Sequence, residues 1–178
     1  SFGIGRIMYS ILEQSFVKGV GGDQQRTSLK FTPAIAPIKC SVLPLSTNKT
    51  FRPVVATLAQ ALTKLGIASK IDESSAAIGR RYARMDEIGV PFALTVDFNT
   101  VGYEGYDKDG CVTLRERDSQ QQLRIPLLAA PGVVNALVRG HFEFESLLAK
   151  YELVGGSAVQ VNATLCGGSS EEISKAVV

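Results

Sequence analysis

Arg115 and Arg117 stand two residues apart in the alternating run Val112-Thr113-Leu114-Arg115-Glu116-Arg117-Asp118. In a β-strand that spacing puts both guanidinium groups on one face. A second alternating run, Gln121 to Leu127, completes a hairpin. With Ser119-Gln120 as a two-residue turn, Asp118 pairs with Gln121, Arg117 with Gln122 and Arg115 with Arg124. Thr113, Arg115, Arg117, Gln122 and Arg124 then share one face, while Val112, Leu114, Leu123 and Ile125 share the other. Like charges set opposite one another destabilise a sheet by up to about 1 kcal/mol. Two readings follow: a solvated face whose charge Glu116, Asp118 or another nearby acid absorbs, or Arg forks holding an anion or a base edge. Hairpin logic alone leaves both open.

Other residues invite the same weighing. Arg80, Arg81 and Arg84 cluster on one helical segment with Asp86 and Glu87 close behind, which favours an exposed face with local ion pairs over a phosphate-tracking surface. Gly3-Ile4-Gly5-Arg6 lets backbone approach a ligand and sets an Arg beside it that can fork onto a phosphate. Many turns share that pattern. Tyr103 and Tyr106 could stack bases, but their glycine-rich loop reads first as a surface insert. His141 is assigned no role. One histidine and three scattered cysteines (Cys40, Cys111, Cys166) give no metal-ligand spacing, and an odd cysteine count without a disulfide framework suits a reducing compartment.

The elements that must position these side chains follow from periodicity. Ile7, Met8, Ile11, Leu12 and Phe16 keep helical spacing after a Gly-rich turn. Asp23 to Pro37 is polar and proline-punctuated, a linker candidate. Ile38 to Leu45 predicts a strand. A helix with Pro53 in its first turn follows, ended by Gly66. Ile67 to Ile71 is a short strand; Ser74 or Ser75 can cap a helix over 76–88, ended by Gly89. Val90, Phe92, Leu94, Val96 and Phe98 alternate as a strand, a loop runs to Gly110, and the hairpin and two further helices complete the order. That order implies an α/β sandwich with helices covering a mixed sheet.

With 45% apolar and 20% charged residues over 178 positions, the chain can bury a core and is not of disordered composition. A net charge of +2 does not announce a nucleic-acid partner, so any basic surface must be local. No run of about 18 apolar residues predicts a membrane span. The opening Ser1-Phe2-Gly3-Ile4-Gly5-Arg6 is neither a Met start nor a signal peptide and reads as a cut through a longer protein.

Several segments together resemble the eukaryotic-type glycyl-tRNA synthetases of class II. Ser1 to Tyr9 (Ser-Phe-Gly-Ile-Gly-Arg-Ile-Met-Tyr) resembles the third class II signature motif. Ala36-Pro37-Ile38-Lys39-Cys40 with Leu43-Pro44-Leu45-Ser46 resembles the opening strand of that family's anticodon-binding domain. Ile78-Gly79-Arg80-Arg81-Tyr82-Ala83-Arg84 with Asp86-Glu87-Ile88-Gly89 resembles its central helix, and Val112 to Ser119 its late hairpin. The likeness runs to about Tyr151; the 100–110 loop and everything past Leu153 carry no family pattern.

The resemblance implies a three-layer α/β/α anticodon-binding domain over 36–153, preceded by a catalytic-domain remnant and linker over 1–35 and followed by a tail over 154–178. For the whole enzyme it implies that glycine and ATP, with Mg²⁺, form glycyl-adenylate, and that glycine passes to tRNA-Gly in a homodimer of the cytoplasm, with service in an organelle as well left open. Arg6 would clamp the ATP phosphates, with Ser1, Gly3 and Gly5 near ATP and glycine; the fragment alone would be inactive. For the tRNA anticodon it implies contacts from Arg115 and Arg117, then Ser74, Ser75, Asp97 and Asn99. No resident metal is expected in this piece. The alternative is a non-catalytic synthetase-like accessory subunit of a mitochondrial DNA polymerase, against which the retained Gly5-Arg6 argues.

Overall fold

Alternating and fully apolar runs in the middle of the chain become the strands of one mixed sheet. The computed structural model describes residues 3–19 and 26–154. Strands β3 (Cys40–Pro44), β4 (Ser69–Ile71) and β5 (Phe92–Val96) are parallel, with β3 between the other two. Strands β6 (Cys111–Glu116), β7 (Gln122–Pro126) and β8 (Glu152–Leu153) extend the sheet antiparallel, in the order β4-β3-β5-β6-β7-β8. The parallel pairs need crossovers, which helices α2 (Arg52–Lys64) and α3 (Ile78–Glu87) supply.

Even-numbered residues of β3, β5 and β6, together with Leu123 and Ile125 of β7, point to one face. There Val42, Leu94, Leu114 and Ile125 form the main core with Val55, Leu58 and Leu62 of α2, Val134 and Leu137 of α5 (Ala130–Val138), and Phe144 and Leu147 of α6 (Phe144–Leu147). Burying each of these side chains contributes about 1.5–3 kcal/mol. The opposite face carries Leu43 and Ala93 beneath Tyr82 and Ile78 of α3. Both faces of β3 and β5 are therefore covered, and every residue of those two strands is buried. Helix, sheet, helix: the three-layer α/β/α arrangement expected from the family pattern is present.

The expected positive-φ glycines end α2 and α3: Gly66 has φ 74° and Gly89 φ 79°. β3 ends on Pro44, which lies opposite Val96. Two local expectations are corrected. Neither Ser74 nor Ser75 caps α3, which starts after Ala77 with no side-chain cap. The presumed loop after β5 begins with a short helix, α4 (Phe98–Val101).

Before the sheet, α1 (Ile4–Ser15) leads into a two-stranded ribbon, β1 (Phe16–Lys18) paired with β2 (Thr27–Leu29). No residue of α1 is buried, whereas Ser28 and Phe31 are. The described part of the expected linker thus docks on the sheet domain. The expected tail over 154–178, apart from Val154, lies outside the described residues, as do Ser1 and Phe2.

Candidate nucleic-acid interface

The hairpin register differs from the one expected. Arg115 pairs with Gln122 and Thr113 with Arg124, a slip of two residues, and residues 117–120 form a longer connection in which Gln120 takes φ 59°. A slip of two conserves faces, because side chains alternate with a period of two. Arg115 and Arg124 do share a face, but they are not opposed.

Neither hairpin arginine is presented to a ligand. Arg115 is 4% exposed and forks onto Asp86 of α3, Nη1 to Oδ1 at 2.9 Å and Nη2 to Oδ2 at 3.1 Å. Its guanidinium carbon lies 4.6 Å from the Tyr82 ring centroid. Asp86 also accepts from Arg26 at 2.7 Å, and its main-chain carbonyl accepts from the Ser28 hydroxyl at 3.1 Å. Arg117, 3% exposed, uses its whole donor set. Nε and one Nη2 bond go to Asp118, Nη1 donates to the Leu29 and Gly89 carbonyls, and Nη2 donates to the Phe31 carbonyl, all between 2.8 and 3.0 Å. A guanidinium has five N–H groups, and five acceptors meet them. The direct RNA contacts expected of Arg115 and Arg117 do not fit this geometry: the two side chains fasten residues 26–31 to the sheet domain.

They also sit at the wrong end to join the other candidates. Glu116 lies opposite Phe92, at the amino end of β5, whereas Ser74 and Ser75 follow the carboxyl end of β4 and Asp97 and Asn99 follow that of β5. Because β3, β4 and β5 are parallel, those last four residues share one end of the sheet, one strand length (about 3.3 Å per residue) away from the hairpin tip. In open α/β sheets that carboxyl end, where successive connections leave to opposite faces, is the usual ligand crevice.

Two of the four are occupied in building that end. The Asp97 carboxylate caps α4, accepting from the Thr100 N–H at 2.9 Å, and the Thr100 hydroxyl accepts from the Asp97 N–H at 3.1 Å. Asp97 also pairs with Arg124, which reaches Asp109 with Nη2 at 2.7 Å. Burial alone would raise the Asp97 carboxyl; the Arg124 and Thr100 hydrogen bonds and the Arg124 charge overcome it and hold it below the ordinary carboxylate range. The Ser74 N–H donates to Asp72 at 3.0 Å, and Arg84 bridges the Asp72 carboxylate at 2.8 Å and the Ser74 hydroxyl. Asp72 is likewise lowered, its hydrogen bonds to Ser74 and the charges of Arg84 and Arg81 outweighing burial. Ser75 and Asn99 remain exposed beside these frames.

The basic helix also departs from the solvated face expected of it. Arg81 is buried and donates to the Pro44 and Asp72 carbonyls at 2.6 and 3.1 Å, locking the ends of β3 and β4 together. Arg84 pairs across to Asp72 rather than within its helix, and Arg80 is exposed. Arg81 and Asp86 are interior groups that charge patterning alone does not reveal, although both flank the stripe formed by Ile78, Tyr82 and Met85, and that position is the signal the sequence offers. At the other end of the chain Arg6 is exposed on the first turn of α1, whose N-cap Gly3 contributes no side-chain bond.

Comparison with known proteins agrees with this architecture. The family profile for the anticodon binding domain matches residues 39–137. Glycine--tRNA ligase from Bombyx mori is 46% identical over 165 residues, covering 89% of this chain and 22% of that protein. Its Drosophila melanogaster counterpart is 48% identical over 153 residues, covering 86% and 19%. The chain therefore spans about a fifth of the length of the curated relatives it matches. Prolyl-tRNA synthetase from Cryptosporidium parvum, solved with L-proline and AMP, superposes with a TM-score of 0.56 at 20% identity, over 62% of this chain and 22% of that one, a likeness of fold. With more than half its length matched to that one profile, the chain belongs to the anticodon binding domain family.

Proposed function

We propose that this chain is the tRNA-gripping end of a glycine--tRNA ligase and that it meets the anticodon loop of tRNA-Gly at the carboxyl end of its parallel strands. One observation carries the reading: Ser74, Ser75, Asp97 and Asn99 come from two separate connections and lie at that one end on either side of β3, with Ser75 and Asn99 exposed. Sequence-specific RNA recognition favours unpaired bases whose edges small polar side chains can reach. Asp97 and Ser74 act there as positioning residues, and Asn99 and Ser75 are the groups that touch RNA. The relatives' shared name, glycine--tRNA ligase, supports this reading and gives the polymerase-accessory alternative no support.

In the longer protein the same reading has glycine activated by ATP and then transferred to tRNA, in a cytoplasmic homodimer. Arg6 and the uncapped N–H groups that open α1 suit phosphate oxygens, a donor set that fits ATP. ATP supplies the activating phosphoanhydride. The first turn of α1 has no acidic residue, so Mg²⁺ would be held by other parts of the longer protein. Arg6 orients the phosphates and offsets charge on the departing pyrophosphate, with Gly3 and Gly5 of the same turn leaving room for them; the role of Ser1 near glycine rests on the family resemblance alone. The domain division at about residue 35 belongs to the same proposal.

Affinity for an RNA stem-loop carrying a glycine anticodon tests it. Asn99→Ala should weaken binding by about 1–3 kcal/mol, and binding should fall steeply with salt. Full affinity in Asn99→Ala and Ser75→Ala alike would remove the assignment.

A further inference from the structure

The loop between α4 and β6 is not a plain surface insert. Phe51, 1% exposed and part of the core, meets Phe98 edge-on at 5.4 Å with an interplanar angle of 81°. Phe98 in turn carries Tyr103, tilted at 5.5 Å, and Tyr106, stacked at 5.1 Å with the rings 21° apart. Tyr106 is nevertheless 51% exposed. A ring stacked on one side and half open to water offers a π-face at little ordering cost, because its partner is anchored in the core.

The loop is held for this task. Tyr106 N–H donates to the Tyr103 carbonyl at 2.8 Å and Asp109 N–H to the Asn99 carbonyl at 3.1 Å. Gly102 turns the chain at φ 69°, and a Cβ there would approach the Lys108 side chain at 2.8 Å. The cluster begins two residues after β5 ends, so it lies at the carboxyl end of the sheet beside Asn99. Exposed Lys49 and Arg52 flank Phe51 in sequence, and Lys108 lies in the loop itself. These cations suit backbone phosphates, whereas the exposed Glu104 and Asp107 disfavour phosphate close to the loop tip. The ligand that matches is a flat, splayed base with its phosphate directed away from the tip.

We infer that Tyr106, braced on Phe98, is a stacking platform for one unpaired base of the RNA. This rests on the proposed RNA-binding role and adds a site to it. Stacking on a π-face is tolerant of base identity, so Tyr106 contributes affinity while Asn99 and Ser75 contribute discrimination.

The chain contains no tryptophan, so Tyr106→Trp creates a single indole reporter. Titrating that variant of the 178-residue chain with the anticodon stem-loop should quench indole emission, and a fully paired duplex of equal length should not. Tyr106→Ala should lower stem-loop affinity by about five- to a hundredfold, with Tyr106→Phe near the parent and thermal melts of all three unchanged. Parent affinity in Tyr106→Ala, or an indole unaffected by bound stem-loop, overturns the platform and leaves the RNA-binding reading standing. A parent chain that binds neither RNA overturns both.

Discussion

Arg115 meets Asp86 as a two-bond fork, 2.9 and 3.1 Å long, with both side chains at most 5% exposed. That pair converts what looks in sequence like a cationic strand into an interior fastening. A charge buried this deeply persists only with a partner of matching geometry, and α3 delivers one from 29 residues away.

Removing the acid should therefore do more harm than removing the base. Asp86→Ala leaves Arg115 buried without its counter-ion, and denaturant unfolding should show a loss of about 3–5 kcal/mol. Arg115→Met should cost less, because Arg26 still neutralises Asp86. Equal stability of Asp86→Ala and the parent would show that the fork does not hold the fold.

Arg117 makes a separate prediction about residues 29–31. Lysine has three donors where the structure uses five, so Arg117→Lys should release the Leu29 and Phe31 carbonyls in part. Amide exchange at Leu29, Lys30 and Phe31 should accelerate about tenfold, equivalent to about 1.4 kcal/mol of local opening, while exchange in β5 stays put. Uniform acceleration across the sheet would instead mean global destabilisation.

Gly89 closes the same junction. It adopts φ 79°, and a Cβ at that position would overlap the Phe31 ring and come within 2.9 Å of the Leu29 carbonyl oxygen. Gly89→Ala should destabilise the chain by more than the roughly 1 kcal/mol of backbone strain alone, read by thermal melting. A neutral substitution would contradict the docking of residues 29–31 on the end of α3.

The carboxylates predict the acid limb of stability. Asp72, Asp97 and Asp118 all have folded values below the ordinary carboxylate range, in each case because hydrogen bonds and cations outweigh burial. Between the folded and unfolded values the unfolded chain binds more protons. Their contribution is thus complete above the ordinary value of about 3.9 and is lost as pH falls through the folded one. Asp97→Asn should flatten the fall in stability below about pH 4. An unchanged slope would mean that Arg124 does not hold Asp97 in the folded state.

Faces were legible in the sequence, and registers and partners were not. The apolar set Val112, Leu114, Leu123 and Ile125 lies where alternation puts it, and a register slip of two left that set intact. The turn could not be placed because Glu116 accepts from the Asp118 and Ser119 N–H groups and ties a longer connection that no turn dipeptide announces. Strands of two or three residues, such as β1 and β8, are too short to show a period. Whether an arginine on a strand faces water or an acid depends on what packs above it, and the charge pattern of α3 hides the buried Asp86 that meets Arg115. The alternation from Val90 to Phe98 overruns the strand, which is only Phe92–Val96: Asp97 caps α4 and Asn99 lies within it, because the Asp97–Thr100 capping box turns the chain before Phe98 can pair.

Hydrogen-exchange mapping of the chain with and without the glycine-anticodon stem-loop asks most directly where the RNA sits. Protection should concentrate in residues 72–77 and 97–107, the connections leaving β4 and β5, with the hairpin tip at 117–120 unchanged. Protection confined to that tip, or to the 26–31 segment docked beside it, would contradict an interface at the carboxyl end of the parallel strands.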